Sequence, residues 1–119
     1  MELSEIETVQ HVPVLRISGD VDLATADALR ARLIEFVERK ARLVVVDISQ
    51  VEFFDSTGLK VLDDIQRSAR ANGGDIAIVC PHERMLRLFR ITGLDDQFAI
   101  GSTAENAVAS VPGRRADRG

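Results

Sequence analysis

The sequence predicts a single α/β domain: a mixed, mostly parallel β-sheet with an antiparallel edge hairpin and about four α-helices. Three observations carry that prediction. Two apolar runs, residues 43–48 (LVVVDI) and 76–80 (IAIVC), lack the polar alternation of a half-exposed strand, as expected of strands covered on both faces of a parallel sheet. Stretches of helical periodicity separate and follow them. The resulting order, strand, strand, helix, strand, helix, strand, helix, strand, helix, implies right-handed crossovers between parallel neighbours. A chain of 119 residues has room for one such domain and no second.

Residues 3–9 and 12–17, parted by Gln10 and His11, form the predicted edge hairpin, and Pro13 is tolerated there because an edge strand has a free side. Gly19-Asp20-Val21-Asp22 then breaks the strand pattern. Thr25 is the expected N-cap of a first helix, Asp27 lies in its first turn, and Ala26, Leu29, Leu33, Phe36 and Val37 mark an apolar stripe running to about Lys40. Residues 49–54 connect the 43–48 strand to Asp55-Ser56-Thr57-Gly58. There a second helix begins, with Leu59, Leu62, Ile65 and Ala69 on one stripe and Asn72-Gly73-Gly74 as its stop. Pro81 opens a third helix, striped by Met85, Leu88, Phe89 and Thr92 and closed by Gly93. Phe98-Ala99-Ile100 is a short last strand. Ser102 and Glu105 have the spacing of a capping box for a terminal helix through about Val111. The domain therefore spans residues 1–111, and residues 112–119, apolar only at Ala116, form a flexible tail.

Fifteen Lys and Arg stand against 19 Asp and Glu, a formal net charge of -4. That balance argues against nucleic acid and anionic membrane surfaces as partners, because both are bound through clustered cations. The opening Met1-Glu2-Leu3-Ser4-Glu5 is acidic, no uncharged apolar stretch nears the ~18 residues of a membrane span, and Cys80 has no cysteine to pair with. A reducing, cytoplasmic location is expected. Cys80, His11 and His82 cannot build a zinc site; Cys80 reads as a small buried hydrophobe and the histidines as exposed turn residues. Phosphate-binding loops, nucleophile elbows and zinc-protease motifs are missing from the sequence, so neither catalysis nor a cofactor is expected. With no Trp or Tyr and five Phe, a partner surface must be largely aliphatic and polar.

A receiver-type phospho-aspartate reading would take Asp47 as acceptor, but the acidic pair and lysine it also needs are out of order. Asp20 and Asp22 precede the first helix, where turn formation with helix-dipole complementarity and a partner-facing role are both open. Residues 53–59 (FFDSTGL) are the most informative segment. A hydroxyl at a strand-to-helix junction is first of all an N-cap, yet Ser56 and Thr57 in succession exceed what one cap needs. Gly58 beside them would let another protein's backbone approach closely. Free amides at the helix start would also stabilise a phosphate, so the junction suits a residue that alternates between hydroxyl and phosphoserine.

Three blocks extend this pattern: Gly19-Asp20-Val21-Asp22-Leu23-Ala24-Thr25-Ala26; Val46-Asp47-Ile48-Ser49 leading into Phe54-Asp55-Ser56-Thr57-Gly58-Leu59; and Leu88-Phe89-Arg90-Ile91-Thr92-Gly93-Leu94. In their order and spacing the chain resembles STAS domains, specifically the stand-alone bacterial anti-sigma factor antagonists, from the hairpin to about Val108. The resemblance implies that Ser56 is the phosphorylated residue, with Thr57 as the alternative, and that Asp22 is the acidic residue close to it. It implies an anti-sigma factor with serine kinase activity as partner: this binds the unphosphorylated antagonist, releases its sigma factor, and is freed when it phosphorylates the antagonist. It implies as well a metal-dependent serine phosphatase that resets the serine. ATP and magnesium belong to the kinase. The partner-facing set is then Asp20, Asp22, Thr25, Asp55, Ser56, Thr57, Gly58 and Lys60, the last placing a cation one helical turn after Ser56. The alternative is a non-catalytic STAS scaffold in a multi-protein signalling complex; short termini without a sensor domain favour the switch. A small-molecule site at the first helix start lacks the glycine loop that would cradle a phosphate.

Overall fold

In the computed structural model, which describes residues 1–39 and 42–112, the elements follow in the expected order. They are β1 (Glu2–Val9), β2 (Val12–Val21), α1 (Ala26–Glu38), β3 (Leu43–Phe54), α2 (Ser56–Ala71), β4 (Asp75–Val79), α3 (Glu83–Ile91), β5 (Ala99–Gly101) and α4 (Ala104–Ala109). The expected tail, apart from Pro112, and Lys40 at the expected end of the first helix lie outside the described residues. The strands form one sheet in the order β1-β2-β3-β4-β5, antiparallel between β1 and β2 and parallel elsewhere.

Side-chain alternation divides β3 between two layers. Val44, Val46 and Ile48 pack into a core with Leu29, Leu33 and Phe36 of α1, Leu62 and Ile65 of α2, and Phe89 of α3. Leu43 and Val45 point the other way, toward Val14, Val79 and the α4 residues Ala107 and Val108. Both faces are covered, which is why this strand is apolar without alternation. Fully buried side chains of this size contribute about 1.5–3 kcal/mol each. α4 comes in close over β5 because Gly101 has no side chain; a Cβ there would lie 2.4 Å from the Ala107 amide nitrogen. The buried polar residue of β3 is Asp47, on the α4 face, where Arg16 Nε lies 3.2 Å away and the Ser49 amide donates to it at 2.9 Å. Tied in this way, Asp47 is a structural counter-ion and not an open phosphate acceptor.

The sequence misplaced several boundaries, each for a local reason. β2 continues through Val21 where a break was expected: Gly19, at φ +85°, sits in an irregular stretch of the β2–β3 ladder. β3 runs to Phe54, through residues expected to be a connection, because its pairing with β2 slips twice. Arg16 pairs with Asp47 but Ser18 with Gln50, and Gly19 with Val51 but Asp20 with Phe53. Each slip inserts one extra residue in β3, so the inward positions become Ile48, Val51 and Phe54, a spacing of three that no regular strand shows. The edge is β1, not Pro13's strand. Pro13 is accommodated instead by a register shift against β1 and by a β2–β3 ladder that starts only at Val14. In the hairpin turn Gln10 and His11 both take positive φ, 51° and 66°, as a two-residue type I′ turn requires. α4 is capped by Thr103, whose hydroxyl accepts from the Asn106 amide at 3.1 Å, one residue later than the expected Ser102–Glu105 box.

Candidate functional site

The extension of β2 and β3 builds the site. Val21 pairs with Phe54 and Asp20 with Phe53, so the loop from β2 into α1 leaves the sheet beside the junction from β3 into α2. Asp20, Asp22 and Thr25 in the first segment and Asp55, Ser56, Thr57 and Gly58 in the second are thereby gathered at one end of the sheet, with Lys60 one turn along α2.

The β2–α1 loop is fastened by its own side chains. Asp22 Oδ1 accepts from the Ala24 amide at 3.0 Å and the Thr25 amide at 3.2 Å, and the Asp22 amide donates to Thr25 Oγ1 at 3.0 Å. Asp22 therefore has a turn-forming role, as its position before a helix suggested. Thr25 occupies the N-cap position but makes no cap bond; its hydroxyl reaches back to the Asp20 carbonyl at 3.1 Å, and the Asp22 carbonyl accepts from the Ala26 amide at 2.9 Å instead. The Asp20 carboxylate is exposed and has no ion pair among the described residues.

At the second junction the cap is neither hydroxyl. Asp55, in extended backbone, accepts from the Thr57 amide at 2.9 Å and the Gly58 amide at 3.4 Å. Sequence reasoning gave this duty to Ser56 because serine and aspartate cap equally well and a one-residue difference in helix start decides between them. Ser56 is instead the first helical residue, exposed, and its hydroxyl has no partner among the described residues. Thr57, next along, is half-buried. Asp55→Ala should cost about 0.5–2 kcal/mol by orphaning two amides, whereas Ser56→Ala should leave stability within about 0.5 kcal/mol. Urea denaturation of the two variants measures the contrast, and equal losses would mean that Ser56 shares the cap.

Gly58 also differs from expectation. It is buried and faces inward, where a Cβ would lie 2.2 Å from Phe54 Cε2, so its smallness serves the core and not an approaching partner. Lys60 is exposed and lies 3.6 Å from Asp64, one turn further on. Asp64 also takes a 2.7 Å hydrogen bond from Arg30 of α1, which holds its carboxyl below the usual range. Because Arg30 remains, Lys60 can leave Asp64 at small cost: exposed pairs of this kind are worth about 0–1 kcal/mol. Away from this end, His82 is exposed before α3 with its Nε2 2.7 Å from the Ser49 carbonyl, and burial pushes the Cys80 thiol up. No cluster of His, Cys, Asp and Glu suited to a metal ion occurs among the described residues.

A family model described as "STAS domain" matches residues 4–107. The chain belongs to the STAS domain family. Over 111 residues this STAS domain is 36% identical to the "Anti-sigma-F factor antagonist RsfB" of Mycobacterium tuberculosis, covering 90% of this chain and 87% of that protein. It is 34% identical over 94 residues to the "Anti-sigma-B factor antagonist" of Bacillus subtilis, covering 79% and 85%. Its fold is that of SpoIIAA, an anti-sigma factor antagonist solved in its unphosphorylated form, with a TM-score of 0.74 at 19% identity over 94% of this chain and 97% of that one. The phosphorylated form of Bacillus SpoIIAA superposes with a TM-score of 0.67 at 20% identity, covering 90% and 96%. No helix among the described residues of this STAS domain is long and apolar enough to cross a membrane.

Proposed function

We propose that the chain is an anti-sigma factor antagonist that switches partners through Ser56. Unphosphorylated, it binds an anti-sigma factor with serine kinase activity, which releases the sigma factor held there. The kinase, carrying ATP and magnesium, transfers the γ-phosphoryl group to Ser56 Oγ; the hydroxyl proton is lost, ADP leaves, and the phosphorylated chain dissociates. A metal-dependent serine phosphatase hydrolyses the ester and restores the hydroxyl. In this scheme the chain is substrate and ligand in the cytoplasm, with no catalysis, cofactor, nucleic acid or membrane of its own.

One observation carries the reading: Asp55 caps α2, which leaves the Ser56 hydroxyl exposed and without a hydrogen-bond partner among the described residues. A hydroxyl committed to a cap would cost a helix end each time it was modified; this one is free to react. The relatives add support, since two antagonists named for different sigma factors share about a third of their residues with this chain. The test is to incubate the chain with the kinase and ATP and map phosphate by peptide mass spectrometry. Stoichiometric phosphate is expected on Ser56 in the wild type and in Thr57→Ala, and none in Ser56→Ala. Phosphate confined to Thr57 would overturn the assignment.

A further inference from the structure

Three large apolar side chains are exposed among the described residues: Leu23 (82%), Phe53 (51%) and Ile91 (74%). Two of them flank the phosphorylation site. Phe53 pairs with Asp20 across the β2–β3 ladder, and Leu23 follows Asp22, two residues beyond the Val21–Phe54 pair. We propose that Leu23 and Phe53 are the apolar anchors by which the anti-sigma factor docks, an inference that rests on the antagonist reading of Ser56.

Both side chains are held outward by the structure around them. The backbone on each side of Leu23 is fixed by the bonds that Asp22 and Thr25 make with the loop amides, so docking has only the leucine side chain, and not the loop, to order. Phe53 faces out because the two slips in β3 turn Val51 and Phe54 inward on either side of it. Beside it lies a groove of about 350 Å³ lined by Glu52, Phe53, Phe54, Arg84, Met85 and Leu88. An apolar side chain of a partner fits there, against Phe53 and between the opposite charges of Glu52 and Arg84.

The charges around the anchors choose the occupant. Asp20, Asp27 and Glu52 are exposed carboxylates without ion pairs among the described residues, and Asp55 is half-buried beside Ser56. Against the two exposed cations placed there, Lys60 and Arg84, these four carboxylates leave a net negative rim that disfavours nucleic acid, anionic lipid and a second copy of itself. It suits a protein surface with apolar pockets ringed by Lys or Arg. The anti-sigma factor is the occupant assigned to it because, on the antagonist reading, it must cover Ser56 to phosphorylate it, and Leu23 and Phe53 lie beside that residue. Affinity then comes from the apolar contacts, and Ser56 decides whether that affinity is expressed.

The test titrates wild type, Leu23→Ser, Phe53→Ser and Ile91→Ser calorimetrically against the purified, nucleotide-loaded anti-sigma factor kinase of the same organism. Leu23→Ser and Phe53→Ser should each weaken binding at least tenfold, Ile91→Ser less than twofold, and Leu23→Met should regain most of the loss. Thermal unfolding of Leu23→Ser should match wild type, since most of the side chain is exposed to solvent. If wild type binds and Ser56→Asp does not, yet the Leu23 and Phe53 variants bind as wild type does, the anchors are wrong and the switch stands. If wild type itself does not bind, both fall. A self-association abolished by Leu23→Ser would make the patch a seam between copies and overturn the proposal.

Discussion

Phosphorylated at Ser56, the chain should bind its anti-sigma factor about a thousandfold more weakly than the hydroxyl form, while still unfolding cooperatively. The phosphate adds roughly -1.5 to -2 charges at neutral pH. In the free domain those charges are tolerated but not cradled. Asp55 already holds the Thr57 and Gly58 amides, which leaves the Ser56 amide, the positive end of α2 and Lys60 one turn away to offset repulsion from the Asp55 carboxylate. Stability should therefore shift by no more than about 1 kcal/mol. A docked partner cannot be so lenient. It must strip water from the dianion and present a surface built for a neutral hydroxyl, next to carboxylates that already attract its cations. A penalty of ~4 kcal/mol corresponds to the thousandfold loss. Ser56→Ala should bind persistently, and Ser56→Asp should fold but bind poorly. Calorimetric titration of the phosphorylated and unphosphorylated forms against the kinase decides the matter, and equal affinities would leave the switch without a mechanism.

The layering of this domain was legible wherever burial alone writes the sequence. Residues 43–48, but for Asp47, and residues 76–80 are apolar because helices cover both their faces, and the stripes on α1 and α2 match the residues that face the larger core. Local chemistry failed where the answer depended on a neighbour in space. The extension of β3 to Phe54 is invisible in its own residues, since a spacing of three at Ile48, Val51 and Phe54 fits neither a strand nor a helix until the slips against β2 are known. The caps of α2 and α4 each moved by one residue, because Asp55 and Ser56, like Ser102 and Thr103, are interchangeable as caps on propensity alone. The candidate site residues were singled out by their order along the chain, and the fold gathers them at one end of the sheet. Their division of labour was not: Asp55 caps, Asp22 and Thr25 brace a loop, Gly58 makes room for a ring, and the Ser56 hydroxyl is left exposed.

Gly58→Ala should destabilise the domain by about 1–3 kcal/mol, the range for overfilling a packed core. Alanine is the better helix former by up to about 1 kcal/mol, so an increase in stability would be expected if the position were open. It is not open. The added Cβ would lie 2.2, 2.6 and 2.8 Å from Cε2, Cδ2 and Cζ of Phe54. That ring cannot swing away freely, because it stacks on Phe89 at a centroid distance of 6.3 Å and Phe89 meets Phe98 edge-on at 5.9 Å. Movement of Phe54 is carried directly to its neighbour Asp55, and through that cap to Ser56, so the variant should also be phosphorylated more slowly than its lost stability explains. Phe54→Leu in the Gly58→Ala background supplies the check: a leucine has no ring atoms where the methyl arrives, so the two substitutions together should cost less than the sum of their separate costs. Thermal and urea unfolding of the two single variants and the double variant measure that coupling. Strict additivity, or a Gly58→Ala protein as stable as wild type, would show that the ring yields without resistance and that the glycine is there for another reason.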